Sequence, residues 1–143
     1  MTTPPAVYGK FGLTLAFAER ALTAMLHEHL AHRGIEPDTW YAVRLIASRA
    51  PGAPREALVE DLEASLNVAA PAVELLARLE GDGLIRGGAE IDLTDEGEVL
   101  YTELREYVIA PTVRLLDQFE IEDIETTVRT LQAITERASE VVA

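Results

Sequence analysis

The chain has 143 residues, 48% of them hydrophobic, no cysteine, and 25 acidic against 12 basic residues for a formal charge of −13. Length and apolar content fit one domain, 1–143, with a real core, and exclude a disordered segment. Absence of cysteine excludes disulfides and thiolate metal sites, and Lys10, Glu19, Arg20 and Glu28 interrupt any signal-peptide or membrane-spanning run, so a soluble cytoplasmic protein with no membrane partner is expected.

After a loose lead-in, a helical pattern runs from about Val7 to Arg33, with Leu15, Ala18, Leu22, Met25, Leu26 and Leu30 at three- and four-residue steps. Gly9 and Gly12 weaken its start, and Gly34 stands where a C-terminal cap belongs. A second helix opens at Glu36-Pro37-Asp38, carries Trp40, Val43, Leu45 and Ile46, and stops before the loop signal Pro51-Gly52-Ala53-Pro54. A short third helix, about Pro54 to Leu66, spaces Leu58, Leu62 and Leu66 by four. Asn67-Val68 forms a turn, and a fourth helix over about 69–82 aligns Ala72, Leu75, Leu76 and Leu79, with Pro71 in its first turn.

The period then changes. Residues 83–86 and 89–93 are two short runs around Gly87-Gly88, a pair suited to the positive φ angles of a tight β-hairpin turn. Thr94 caps a fifth helix with Asp95 and Glu96 in its first turn, and Leu100, Leu104, Tyr107, Val108 and Leu115 along it. Pro111 is expected to kink or break that helix. A last helix, about Ile121 to Val142, carries Ile124, Val128, Leu131 and Ala138 in register. The expected fold is therefore mainly α with a small β-hairpin: a winged helix-turn-helix over 54–94, flanked by N-terminal helices over 7–53 and C-terminal helices over 95–143.

In such a unit the second helix enters the major groove and the hairpin lies beside it. Leu79-Glu80-Gly81-Asp82-Gly83-Leu84-Ile85 and Leu93-Thr94-Asp95-Glu96-Gly97, with the winged unit placed mid-chain, resemble the MarR family of bacterial regulators over roughly residues 7–142. The resemblance implies a homodimer interleaving the terminal helices, a pseudo-palindromic DNA operator, and release by a small, often aromatic or phenolic, ligand. The wing is shorter than the family's and lacks its Asp-x-Arg signature, ending in Arg86-Gly87-Gly88-Ala89.

The candidate DNA-contact residues are Asn67, Ala69, Ala70, Pro71, Glu74, Arg78 and Arg86. The local charge opposes them: residues 55–95 hold three arginines (Arg55, Arg78, Arg86) against ten acids, a net −7. Base readout uses Arg, Lys, Asn or Gln, and phosphate neutralisation supplies most non-specific affinity. Two functions stay open on the sequence: a dimeric, ligand-responsive DNA-binding transcriptional regulator, or a scaffold of the same fold that has lost DNA binding and serves as a protein-interaction or ligand-binding module.

Trp40, Tyr41 and Arg44 are the candidate effector-pocket residues, since an arginine beside aromatics suits an aromatic carboxylate. The plainer alternative packs Trp40 between the lobes and pairs Arg44 with an acid. His27-Glu28-His29 and His32 lack zincin spacing, because Ala31 stands where the second histidine belongs, and read as the polar end of a helix. The acids from Glu120 to Glu125 read as a solvated helix start. No nucleophile–base pair, phosphate loop or metal triad appears, so neither an enzyme nor a cofactor is expected.

Overall fold

The computed structural model describes residues 2–65 and 67–143. In chain order these form α1 (Ala6–Ala31), α2 (Pro37–Ser48), β1 (Ala53–Pro54), α3 (Arg55–Ala64), α4 (Ala72–Gly81), β2 (Ile85–Arg86), β3 (Glu90–Leu93), α5 (Asp95–Leu116) and α6 (Ile121–Val142). Leu66, expected to close the leucine row of α3, lies outside the described residues.

The α1 terminus is set by Gly34, whose φ of 65° admits the left-handed turn. Its N–H donates to the Ala31 carbonyl and the Ile35 N–H to that of Leu30, the Schellman pattern that satisfies last-turn acceptors. Thr94 caps α5 as expected, its Oγ1 accepting the Gly97 N–H at 3.1 Å while its hydroxyl donates to the Gly83 carbonyl at 2.6 Å.

Four expectations change. The hairpin is part of a three-stranded antiparallel sheet, ordered β1-β3-β2, in which Ala53 faces Ile91 and Ile85 faces Leu93. The loop signal at 51–54 concealed β1 because it is two residues long and lies at the sheet edge, where a proline's missing N–H breaks no ladder. The hairpin turn is also wider than a tight pair: Arg86 faces Asp92, so residues 87–91 lie between them, and only Gly88 of the two glycines has positive φ (113°). Gly87 serves another end, since a Cβ there would come within 2.6 Å of the Glu80 carboxylate.

The helix expected over 69–82 begins at Ala72, with Pro71 as its N-cap. The Ala69 and Ala70 N–H groups donate to the two carboxylate oxygens of Asp38, at 3.0 and 2.9 Å, and this buried side chain holds the turn out of helical conformation. Lastly, α5 passes Pro111 without a break. Proline there offers no N–H to the carbonyl of Tyr107. His29 Nε2 lies 2.8 Å from that carbonyl, which can only accept, so the ring nitrogen is the donor. Tyr107 returns its hydroxyl proton to the His29 carbonyl at 2.5 Å, and the two rings stack 3.8 Å apart.

Two compact units emerge, Met1–Val108 and Ile109–Ala143. The main core of the first joins Val43 and Ile46 of α2, Leu58 and Leu62 of α3, Leu75, Leu76 and Leu79 of α4, and Ile85, Ile91 and Leu93 of the sheet. A second cluster, Leu30, Trp40, Tyr41 and Leu104, ties α1 and α2 to α5. The second unit contains α6, no residue of which is buried.

Candidate nucleic-acid interface and ligand clefts

In the first unit α3, the turn braced by Asp38, α4 and the sheet compose a winged helix-turn-helix. Leu75, Leu76 and Leu79 anchor α4 in the core, which leaves Val73, Glu74, Ala77, Arg78 and Glu80 exposed on its other side. Of the candidate contacts, Ala69, Pro71, Glu74, Arg78 and Arg86 are exposed, whereas Asn67 and Ala70 are half-buried. The Asn67 amide donates to the Glu19 carboxylate at 3.3 Å. The turn and α4 bring the first six together along one stretch; Arg86 stands on β2 of the wing.

The arginines are not equivalent. Arg78 pairs with Glu36 at 3.0 Å. Arg55 donates its backbone N–H to the Ala89 carbonyl at 2.9 Å and its Nε to that of Gly88 at 2.7 Å, and its guanidinium pairs with Glu80. It thereby ties the wing turn to the start of α3 and to α4, a role the sequence reading missed by counting Arg55 only as charge. A basic residue directly after the Ala-Pro edge strand was the available signal. Among the described residues Arg86 has no carboxylate partner.

Trp40, Tyr41 and Arg44 divide their tasks. The Arg44 guanidinium stands over the Trp40 ring at 5.6 Å and the Tyr41 ring at 5.4 Å, exposed, and pairs with no acid among the described residues. Tyr41 and Arg44 line a cleft of about 350 Å³ with Leu45, Ser48, Asp61, Leu62, Ser65 and Val68. Trp40 is not part of it: the indole stacks on Tyr101 at 6.1 Å, and its buried N–H has no partner among the described residues. The Tyr41 hydroxyl lies 2.9 Å from His27 Nε2. Burial pushes its pKa above the ordinary 10.0; Arg44 opposes the rise, and Glu19 and Asp38 add to it. A second cleft, about 450 Å³, opens between the end of α2, the wing and α5, lined by Ala47, Ala50, Pro51, Arg86, Asp92, Leu93, Glu98, Tyr101 and Thr102.

His29 and His27 are engaged by tyrosines, and among the described residues no group of three or more His, Asp or Glu side chains is placed to hold a metal ion. No helix among them is long and apolar enough to cross a membrane.

No family model matches the chain, and no curated protein matches it. Solved structures do. A transcriptional regulator of the MarR family from Rhodococcus sp. RHA1 is 19% identical with a TM-score of 0.71, over 92% of this chain and 97% of that one. A MarR family protein of Mycobacterium tuberculosis, in complex with DNA, is 19% identical with a TM-score of 0.69, over 93% of this chain and 98% of that one. CouR from Rhodococcus jostii RHA1, bound to p-coumaroyl-CoA, is 20% identical with a TM-score of 0.70, over 92% and 95%. Among the described residues, six helices, the turn braced by Asp38, and a short three-stranded sheet give this chain the winged-helix fold of the MarR-type transcriptional regulators.

Proposed function

We propose that the chain is a homodimeric transcriptional regulator, not an enzyme, acting in the cytoplasm, that binds double-stranded DNA through α4 and the wing and is modulated by a small aromatic anion. The observation that carries this reading is the presentation of α4: a helix anchored by three buried leucines, with its outer side exposed and a wing arginine, Arg86, that has no carboxylate partner among the described residues. That a MarR family neighbour of the same fold was captured with DNA supports it.

The dimer rests on apolar surface. Val7, Tyr8, Phe11, Leu13, Leu15, Phe17 and Leu22 of α1 are exposed, as are Val113, Phe119, Ile121 and Val128 of the second unit. Exposed apolar runs of this extent mark association surfaces. Residues 7–53 and 95–143 then supply the dimer, and 54–94 the DNA contacts. The ligand reading rests on Arg44 above two aromatic rings at the mouth of a cleft, a geometry suited to an aromatic carboxylate. CouR, which shares the fold, was solved with an aromatic acyl thioester.

The test is a titration with promoter-derived DNA at low salt, the dimer first confirmed by sedimentation. Binding that weakens when Arg86→Ala is introduced supports the regulator; no shift at micromolar dimer overturns it. One observation favours a second reading, a scaffold without DNA binding: two of the three arginines of residues 55–95 are already paired with carboxylates. Recovery of a specific protein partner together with indifference to DNA would establish that alternative.

A further inference from the structure

The two ion pairs of the winged unit lie where a DNA-binding module needs free cations. Glu36, at the N-cap of α2, holds Arg78 of α4, the α4 arginine among the candidate contacts. Glu80, on α4 itself, holds Arg55 while that side chain also donates to the Gly88 carbonyl of the wing turn. Gly87 leaves room for the Glu80 carboxylate, which a Cβ would crowd at 2.6 Å. A carboxylate and a phosphodiester both present anionic oxygens that accept from a guanidinium, so each glutamate competes with phosphate for its arginine.

Resting on the DNA-binding reading above, we infer that Glu36 and Glu80 are intramolecular brakes, carboxylates that hold Arg78 and Arg55 from the DNA backbone and set a low phosphate affinity. Both pairs are partly exposed, with the arginine side chains 43% and 34% accessible. Such pairs are weak enough for a phosphate to displace, and each one displaced lowers affinity about two- to fivefold relative to a free arginine. They also lower the salt dependence to the extent that the arginine stays on its glutamate in the complex, since an arginine held there releases no counterion from DNA. The arrangement differs from general repulsion by the net charge: it acts through two named contacts.

The experiment is a salt series of DNA binding by the full-length dimer, comparing wild type with Glu36→Gln and Glu80→Gln. Glu60→Gln is the control, removing the same charge from an exposed α3 position outside the candidate contacts and with no arginine partner among the described residues. Each brake variant should tighten binding about two- to fivefold at low salt and steepen the log–log salt slope by up to about 0.9, the limit for one arginine released. Glu60→Gln should leave the slope unchanged. Adding Arg78→Ala to Glu36→Gln should abolish the gain. The brake is overturned, with DNA binding intact, when wild type binds and the brake variants keep its slope, or when Glu60→Gln steepens it equally. If wild type and both variants all fail to bind while melting as folded dimers, the DNA-binding reading falls and the brake with it. Glu80→Gln keeps a side chain that accepts from Arg55, and its melting temperature reports whether the wing turn has held.

Discussion

Gly97 carries more of the architecture than its size suggests. It stands at the third residue of α5, where a Cβ would lie 2.0 Å from the Leu84 carbonyl oxygen and 3.3 Å from the Leu93 side chain. The obstacle is backbone of the wing, which cannot swing aside as a side-chain tip would. Helix α5 therefore starts against the sheet only because position 97 has no side chain. Gly97→Ala, which on an exposed helix would be mildly stabilising, is expected to cost about 1–3 kcal/mol here, read as a lower urea midpoint at unchanged helical content. Tyr41 supplies a second residue-level expectation. Its pKa is raised by burial, so the folded state resists the ionisation that the unfolded chain undergoes near its ordinary value. The contribution is full below pH 10.0 and is lost as pH rises through the higher folded value. Wild type should therefore lose stability more steeply than Tyr41→Phe above about pH 10; parallel curves would show that the hydroxyl is not desolvated.

At the scale of elements, the clasp between α1 and α5 is built from two backbone defects. The first is the Tyr107 carbonyl that Pro111 leaves without a helical donor; the second is the His29 carbonyl at the end of α1, where the next turn closes on Leu30 instead. Each is met by the other residue's side chain, and Arg33 lies over the Tyr107 ring at 3.9 Å. Tyr107→Phe and His29→Ala should each cost about 1 kcal/mol in equilibrium unfolding and prove non-additive in the double variant. The cost of His29→Ala should shrink when Pro111→Ala restores a donor for the Tyr107 carbonyl; an undiminished cost would sink this account. Neither partner was legible in the sequence, because they are 78 residues apart. The helices were legible, since the apolar steps of Leu75, Leu76 and Leu79 depend only on local period. Strand β1 and the late start of α4 were not, because each is decided by a distant partner: Ile91 opposite Ala53, and Asp38 beneath Ala69 and Ala70. The ion pairs were not legible either: nothing local announces that Glu36 holds Arg78 or Glu80 holds Arg55.

For the whole molecule, added salt should act with opposite sign on folding and on the proposed DNA binding. A chain at −13 repels itself, and a dimer of two such chains carries twice that. Added salt screens this repulsion, as the Debye length falls from about 30 Å at 0.01 M to about 8 Å at 0.15 M. It also weakens the three ion pairs, Arg49–Asp61, Arg55–Glu80 and Arg78–Glu36. All three are partly exposed and contribute roughly 0–1 kcal/mol each, whereas excess charge of one sign is spread over the whole surface and is relieved at every acid. Self-repulsion should win. The melting temperature is expected to rise by a few degrees across that salt range, while DNA affinity falls over the same range as counterion release loses its driving force. Measuring both on one preparation separates the two effects. A melting temperature that fell with salt would mean that the paired arginines contribute more to the fold than the surplus acids take from it, and the same pairs would then be too strong for a phosphate to open.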